Sequence, residues 1–334
     1  MLRNILKDKI YDYLKETGLV KDLGLSDKYR VKFLAQGEYN INYTIEDGIS
    51  KYVFRVNTGS QIDVESQIRY EYNGIKRLEV SGVTPKAYFV DDSKDYLEYG
   101  LLIMEFLEGK PLNYSTDLNR AANIFSKIHS IDLKDTDFNI FIEEKEVLRD
   151  RIKEGKKLLK DFLASPIVSC ELKNFFYKFL QWAEDNKANE RYFKENKWQV
   201  INNTEVNSHN FIIGQEKSYL IDWEKPVISD PCQDITQFLA DTTTLWKTDY
   251  ILSKDEKENF FRNYEREVKS NYKDIRERVN IYTPYLYLRA LAWCAYAWLE
   301  YRNPEKDIKN QDTLNKIENY LQLDFMKRLL SDWF

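Results

Sequence analysis

The amino-acid sequence predicts an α+β fold in two lobes, a small antiparallel sheet with one helix followed by a larger and mainly helical lobe. Over the first hundred or so residues, short runs of strand-forming residues are separated by turn residues and interrupted by one stretch at helical spacing. After Gly109 the apolar residues recur mostly at the spacing of long amphipathic helices. Because no repeat or proline- and glycine-rich linker separates the two parts, we place their junction at residues 105–109.

The predicted N-terminal lobe covers residues 1–107 and opens with a short helix over residues 2–16. Apolar residues of this helix fall on one face, and Gly18 follows its end. Two strands around a glycine turn, YRVKFLAQGEYNINYTIE, come next, and SKYVFRVN adds a third. The stretch VESQIRYEYNGIKRLEVSG has helical spacing, and the strands KAYFVDD and YGLLIMEFLEG complete the lobe.

The predicted C-terminal lobe covers residues 108–334 and is mainly helical. Helical spacing appears in LNRAANIFSKIHS, in EVLRDRIKEGKKLLKDFLA and in ELKNFFYKFLQWAED. Two short strand regions, WQVINNT and FIIGQEKSYLIDW, interrupt these helices, and helical spacing resumes at Asp234. The polar residues of chemical interest lie in and around these two strand regions.

Composition excludes several classes of protein and of site. The three cysteines are odd in number and far apart, which predicts a reducing compartment, and two histidines are too few for a Cys/His zinc site. A net charge of −5 with mixed signs throughout predicts no nucleic-acid partner. The longest apolar run, residues 290–299, is about half the length needed to span a bilayer, so we expect no membrane partner and a cytoplasmic location.

Two residues of the N-terminal lobe are candidates for binding phosphate, and a third is a candidate to hold one of them in place. Gly37 lies between two strands, where its backbone N–H could face a phosphate; an ordinary hairpin turn is the alternative. Arg55 lies in the middle of a strand that buries alternate residues, and such an arginine commonly reaches out to solvent. If Glu71 of the following helix pairs with it instead, the guanidinium is held still for phosphate oxygens.

An amide and a carboxylate in the second strand region are candidates for binding a metal ion. Asn210 lies in a short loop before the strand FII, and Asp222 follows the returning strand YLI. Such a hairpin can bring the two side chains together with convergent oxygens, which suits magnesium completed by phosphates and water. The alternative is that both residues only cap turns.

The ordered set of motifs resembles the aminoglycoside phosphotransferase and choline kinase superfamily, which has a protein-kinase-like fold. The loop HxDxxxxN of that family corresponds to Asn203, Glu205 and Asn210 here. It is followed by IDWE at residues 221–224 and DPCQD at residues 230–234, as in the family. LLIMEFLEGKPL resembles the hinge of the family, and QGEYNINY its phosphate loop.

The resemblance covers roughly residues 29–239 and implies a nucleotide-binding N-terminal lobe and a C-terminal lobe with the catalytic loop and the acceptor site. It implies Asn210 and Asp222 as ligands of Mg²⁺, with ATP or GTP as the phosphoryl donor. It also implies that Asp234 braces the catalytic loop and that Asp230 caps the helix that follows.

The resemblance assigns nucleotide binding to five positions of the N-terminal lobe. Gly37 belongs to the phosphate loop, Arg55 takes the place of the phosphate-contacting lysine, and Glu71 is its helix partner. The adenine is expected to form hydrogen bonds with the backbone around Glu105 and Leu107.

Two departures from the family pattern fall in the catalytic loop. Glu205 stands where the family has its catalytic aspartate, and Asn203 where it has a histidine. Glutamate can orient or deprotonate a hydroxyl, but its extra methylene displaces the carboxylate by on the order of 1 Å unless the loop compensates. The chain is therefore either an active kinase with an adapted loop or a nucleotide-binding pseudokinase with impaired catalysis.

The expected reaction moves the γ-phosphoryl group of the nucleotide to a hydroxyl of a small molecule. An aminoglycoside, an amino alcohol such as choline or ethanolamine, and a sugar are the alternatives for this acceptor. A cationic acceptor would suit the negative net charge. Several C-terminal aromatic residues and two residues of IDWE are candidates to line its site: Trp223, Glu224, Trp246, Tyr285, Trp293 and Trp298. An aromatic stripe at helical spacing is, alternatively, part of the core.

Overall fold

The computed structural model describes residues 2–37, 39–60, 62, 64–134, 139–270, 274–302 and 311–334. The helices are α1 Leu2–Glu16, α2 Leu19–Asp22, α3 Gln67–Leu78, α4 Tyr114–Ile128, α5 Val147–Ala164, α6 Cys170–Asp185, α7 Glu190–Glu195, α8 Cys232–Leu239, α9 Asp241–Lys247, α10 Lys254–Glu267, α11 Ile275–Glu300, α12 Gln311–Tyr320 and α13 Leu323–Leu330. The strands are β1 Arg30–Gln36, β2 Asn40–Glu46, β3 Lys51–Asn57, β4 Ala87–Asp91, β5 Gly100–Glu105, β6 Lys110–Pro111, β7 Ile142–Glu143, β8 Val200–Asn202, β9 Phe211–Ile213, β10 Ser218–Leu220 and β11 Val227–Ser229.

The chain divides into two compact units, each made of several segments. The first unit comprises Met1–Leu112, Ile131–Ile142 and His209–Pro226, and the second comprises Asn113–Ser130, Glu143–Ser208 and Val227–Phe334. The predicted border between residues 107 and 108 stays a prediction.

The first unit contains a five-stranded antiparallel sheet in the order β1-β2-β3-β5-β4. Helix α1 packs against this sheet through the apolar face that the sequence predicts, where Ile10 and Leu14 are fully buried. Helix α3 begins at Ser66, whose side chain accepts a hydrogen bond from the backbone N–H of Arg69. This cap fixes the start of the helix and hence the direction in which Glu71 points.

A second, three-stranded sheet of the first unit has the order β10-β9-β6. Strands β9 and β10 form the predicted hairpin, with Leu220 opposite Phe211 at its open end. This end of the hairpin positions the residues that precede Phe211 and follow Leu220.

The second unit is built around the long helix α11, which packs against α5 and α8. Its core is rich in aromatic residues, of which Phe162, Phe176 and Tyr285 are fully buried. Strands β8 and β11 pair antiparallel, with Asn202 opposite Val227. The end of β8 leads into the catalytic loop predicted from the sequence, and β11 leads into α8.

The α+β prediction, with an antiparallel sheet first and helices after it, is confirmed. Among the described ranges of the chain, no helix combines the length and the apolar character that a membrane crossing requires.

Candidate active site

Arg55 is the centre of a charged cluster in the first unit. It lies in the middle of β3, between Asn42 of β2 and Leu102 of β5, and only 6% of it is exposed. Its Nε donates to Asn42 Oδ1 at 3.0 Å, and its Nη1 donates to a carboxylate oxygen of Glu71. The same nitrogen lies 3.2 Å from Asp222 Oδ1. The pairing of Arg55 with Glu71, left open by the sequence, is present in the structure.

Glu224 is the third carboxylate of the cluster, with its Oε1 3.8 Å from Arg55 Nη1. Asn40, the first residue of β2, donates a side-chain hydrogen bond to the same carboxylate and accepts one from Asn57 at 2.9 Å. The side chain of Gln67 donates to the backbone carbonyl of Glu224. These contacts join the segment after the glycine turn to the segment after the β9–β10 hairpin.

The cluster holds three carboxylates around one guanidinium, so negative charge is in excess. Burial and the charge of Asp222 raise the pKa of Glu224 to about 8, although Arg55 opposes this shift. Burial likewise raises the pKa of Glu71 to about 7 against the attraction of Arg55. Burial lowers the pKa of Arg55, but the charges of Glu71, Asp222 and Glu224 outweigh this and raise it above its ordinary value. The guanidinium therefore stays charged at every physiological pH.

This imbalance makes stability depend on pH. Between about pH 4.5 and about pH 8 folded Glu224 retains a proton that the unfolded chain has lost, so rising pH favours unfolding. We expect Glu224→Gln to stabilise the ligand-free protein by on the order of 1 kcal/mol or more at pH 8 and by little at pH 5. Thermal unfolding of both proteins at the two pH values measures this difference.

Because Glu71 and Glu224 repel each other, the difference between the two proteins reports the titration of Glu224 together with its effect on Glu71. The control is Glu216→Gln, at an exposed position in the β9–β10 turn. If the melting temperatures of wild type and Glu224→Gln differ by the same amount at pH 5 and pH 8, Glu224 titrates as an ordinary carboxyl group and the prediction is wrong.

The hairpin brings the backbones of Asn210 and Asp222 together. The backbone N–H of Ile221 donates to the carbonyl oxygen of Asn210 at 2.8 Å. Asp222 follows with a φ of 65°, a left-handed conformation that aspartate tolerates better than most residues. Trp223 anchors the chain beyond it, since its ring is fully buried and its Nε1–H donates to the carbonyl oxygen of Leu220 at 2.9 Å.

The residues of this first unit fit a magnesium ion carried with phosphates. In the part of the chain that the structure describes, no group of three or more His, Cys, Asp or Glu residues could hold a metal by itself. Magnesium needs only one or two protein ligands when phosphates complete its octahedron, and Asn210 with Asp222 supplies an amide and a carboxylate. The surplus negative charge favours a cation, and the buried Oε2 of Glu71 has no hydrogen-bond partner among the described residues.

The glycine turn and the predicted hinge lie at the ends of the large sheet. The N–H of Gly37 donates to the carbonyl oxygen of Asn40 at 2.9 Å, and among the described residues a Cβ at Gly37 would meet only that oxygen, at 3.9 Å. Packing against the described residues therefore does not explain the glycine. Glu105 ends β5 and donates its N–H to the carbonyl oxygen of Lys86, while Leu107 lies two residues further on. Their contact with adenine stays a prediction.

Asn203 and Glu205, which the sequence predicts to belong to a catalytic loop, lie in the second unit. Side-chain oxygens there accept hydrogen bonds from three consecutive backbone N–H groups. Asp234, at the start of α8, accepts from the N–H of Asn203 at 2.6 Å and from that of Thr204 at 2.9 Å. Asn203 Oδ1 accepts from the N–H of Glu205 at 3.0 Å. In return, Asn202 Oδ1 accepts from the N–H of Asp234 at 3.2 Å.

Thr204 has a φ of 70°, which is rare and unfavourable for a β-branched residue. The hydrogen bonds from the loop to Asp234 offset this cost. The carboxylate of Glu205, which is half-buried, is thus attached to a backbone with a defined conformation.

Asp230 supports α8 from the other side. Its Oδ1 accepts from the N–H of Cys232 at 3.0 Å, and its second oxygen accepts from the buried guanidinium of Arg278. Burial raises the pKa of Asp230 to about 6, and Arg278 opposes the shift. The helix that carries Asp234 is thereby fixed at its N-terminus.

Two of the candidates to line an acceptor site are part of the core, which was the alternative for the aromatic residues. Trp223 and Tyr285 are both fully buried, because each packs inside its own unit. Three asparagines that were not predicted from the sequence also organise the site: Asn40, Asn42 and Asn202. These asparagines could have been noticed because each is an amide among strand-forming residues. A buried amide needs a hydrogen-bond partner.

A family model described as a phosphotransferase enzyme family matches residues 30–277, which is most of the chain. The chain belongs to this phosphotransferase enzyme family. The match spans both the Arg55 cluster and the loop at Glu205. A comparison with curated proteins found no significant match.

Solved structures share the fold of this phosphotransferase at low sequence identity. An ethanolamine kinase of Plasmodium vivax is 18% identical with a TM-score of 0.64, covering 96% of this chain and 89% of that one. A spectinomycin phosphotransferase in complex with ADP and spectinomycin is 12% identical with a TM-score of 0.60, covering 93% and 95%. A choline kinase of Cryptosporidium parvum is 18% identical with a TM-score of 0.59, covering 94% and 95%.

Proposed function

We propose that this chain is a magnesium-dependent phosphotransferase that moves the γ-phosphoryl group of ATP or GTP to a hydroxyl of a small molecule. The observation that supports it most is the cluster around Arg55, in which a buried guanidinium is held by Glu71 and by Asp222. A guanidinium fixed in this way suits phosphate oxygens, and the surplus carboxylates suit a cation. Because the chain belongs to the phosphotransferase family, we interpret this cluster as a site for the phosphates of the donor nucleotide.

Each residue of the first unit has a proposed part in binding the donor nucleotide. Asn210 and Asp222 hold the magnesium ion, which neutralises phosphate charge when it is bound. Arg55 contacts phosphate oxygens, and Glu71 keeps its guanidinium in place. The turn at Gly37 lies over the phosphates, where the absence of a side chain lets the backbone approach them, whereas the N–H of Gly37 itself donates to Asn40 and not to a phosphate as the sequence predicted.

Glu205 is the proposed residue that orients the acceptor and receives its proton. The acceptor oxygen forms a bond to the γ-phosphorus while the bond from that phosphorus to the β–γ bridging oxygen breaks. The hydroxyl proton passes to the Glu205 carboxylate, and the nucleoside diphosphate leaves with the bond's electron pair. Asn203 supports this residue by accepting the hydrogen bond from its backbone N–H.

The proposal also names the chemical class of the acceptor. Printed names of the structural neighbours include kinases of ethanolamine and choline and a phosphotransferase of spectinomycin. An aminoglycoside, an amino alcohol or a sugar is therefore the acceptor we propose to test first. Amino compounds of this kind are cationic and suit a protein with a net charge of −5.

A pseudokinase that binds nucleotide without turnover is the second candidate. The observation that favours it is the glutamate at position 205, where the family pattern has aspartate. The hydrogen bonds that hold the backbone of Asn203, Thr204 and Glu205 favour an adapted loop over a decayed one. A screen decides between the candidates by measuring consumption of ATP and GTP with Mg²⁺ over a panel of aminoglycosides, amino alcohols and sugars. A nucleotide-induced rise in melting temperature without any product would identify the pseudokinase.

Glu205→Asp tests whether the loop is adapted to glutamate. Shortening the side chain withdraws the carboxylate by on the order of 1 Å, so we expect kcat to fall by about a hundredfold while the KM for nucleotide stays within about twofold. Steady-state kinetics with the best acceptor of the screen measures both. Glu216→Asp, the same change at an exposed site, should leave kcat unchanged. A large gain in kcat on Glu205→Asp would instead mark Glu205 as a damaged base.

A further inference from the structure

Behind the catalytic loop, a buried histidine and tyrosine of the second unit lie next to Asp234. His129 follows the last turn of α4 and Tyr264 lies in α10, and both side chains are almost wholly buried. His129 Nδ1 is 2.9 Å from the hydroxyl of Tyr264. His129 Nε2 is 4.0 Å from Asp234 Oδ2, the same oxygen that accepts from the N–H of Asn203.

The surroundings select one tautomer of His129. If Nδ1 carried the proton, the lone pair of Nε2 would face the Asp234 carboxylate, which is repulsive. If the Tyr264 hydroxyl donates to Nδ1, Nε2 carries the proton and its N–H faces the carboxylate, which is attractive. Burial and the charges of Asp230 and Asp234 raise the pKa of Tyr264 well above its ordinary value, so its hydroxyl remains a donor.

The Nε2–H of His129 has no hydrogen-bond partner among the residues that the structure describes, and a buried donor of this kind is costly to leave unpaired. At 4.0 Å the contact with Asp234 is electrostatic, and a shift of about 1 Å would make it a hydrogen bond. The nearest carboxylate oxygen is thus held between this N–H and the N–H of Asn203.

We propose that His129, fixed by Tyr264, is a positioning residue that orients Asp234 and through it the loop that carries Glu205. His129 acts indirectly, because it is Asp234 that accepts hydrogen bonds from the backbone N–H groups of Asn203 and Thr204. The kinetic part of this inference rests on the proposed function, whereas the structural part does not.

The test compares two amides that mimic different nitrogens of the imidazole. In His129→Gln the side-chain amide reaches the place of Nε2 and keeps a donor toward Asp234. In His129→Asn it reaches only the place of Nδ1 and leaves Asp234 without that donor. Amide hydrogen exchange of the peptide covering residues 199–208 is measured in each variant, with helix α5 as the internal reference.

We expect exchange in this peptide to become about tenfold faster in His129→Asn and to change by less than about threefold in His129→Gln. With an acceptor that turns over, kcat should fall in His129→Asn and recover in His129→Gln, while the KM for nucleotide stays unchanged. Thr236→Val is the matched control, since Thr236 is buried in the same helix as Asp234 and its hydroxyl has no hydrogen-bond partner among the described residues.

Equal exchange in the two His129 variants, or equal exchange in His129→Asn and Thr236→Val, would overturn the proposal. If His129→Asn does not fold, Tyr264→Phe decides, because it deletes only the donor to Nδ1: faster exchange of the same peptide supports the proposal and unchanged exchange overturns it. A protein that turns over no acceptor still gives the exchange result, so failure of the proposed function is seen separately.

Discussion

Asp222→Ala should abolish phosphoryl transfer and leave the ligand-free protein folded. If Asp222 holds the magnesium ion as proposed, its loss removes several kcal/mol of charge stabilisation, so we expect kcat/KM to fall by about a thousandfold or more. The effect on stability should be small, because removing one of three carboxylates around Arg55 relieves their repulsion. Phosphorylated product and thermal unfolding without ligand are the two measurements.

Asp222→Asn controls for the backbone at this position. Asparagine tolerates the left-handed conformation that Asp222 adopts, whereas alanine adds strain there. We expect both variants to lose activity and Asp222→Asn to be the more stable. Glu216→Ala, in the exposed turn of the same hairpin, should behave as wild type. Full activity in Asp222→Ala would reject the proposed magnesium site.

Arg55→Met should destabilise the protein by about 3–5 kcal/mol, which is the typical cost of removing one partner from a buried ion pair. The side chains of Arg55 and Glu71 are 7% and 1% exposed, so without Arg55 the buried Glu71 must either carry an uncompensated charge or take up a proton, and both are costly at pH 8. The free energy of unfolding in urea at pH 8 measures the loss, because Glu71 and Glu224 gain protons at lower pH and mask it.

Two further variants separate the ion pair from simple loss of a side chain. In Arg55→Met/Glu71→Gln the stranded charge is gone, so the double variant should be more stable than the sum of the two single changes predicts. Arg69→Met is the matched surface control, since the pair of Arg69 with Asp92 is half exposed and should cost about 1 kcal/mol or less. Similar losses in Arg55→Met and Arg69→Met would mean that the buried cluster contributes no more than a surface pair.

Local pattern was sufficient to predict most elements of the fold. Helix α3 and strand β3 follow from spacing that one stretch of sequence contains, so the pairing of Glu71 with Arg55 could at least be considered. The contact between Asn40 and Glu224 could not, because it joins residues 184 positions apart in the chain. Neither residue shows locally which strand or loop lies beside it.

The burial of individual aromatic residues could not be predicted from the sequence either. Trp223 is adjacent to Asp222 and was a candidate to line the acceptor site, yet its ring is fully buried. Neighbours along a chain can point in opposite directions, and the left-handed turn at Asp222 makes this direction hard to foresee. The contacts of Asp234 with the loop were expected only from the resemblance to a family.

The loop at Glu205 depends on residues that are distant in the sequence, and the conformation of Thr204 is the reason. A threonine disfavours this backbone geometry, and the hydrogen bonds that offset the cost come from Asp234, thirty residues further along the chain. A short synthetic peptide copying the loop would therefore not adopt its shape. We expect the loop to lose this conformation when the tertiary structure of its unit is lost, because Asp234 is then no longer held beside it.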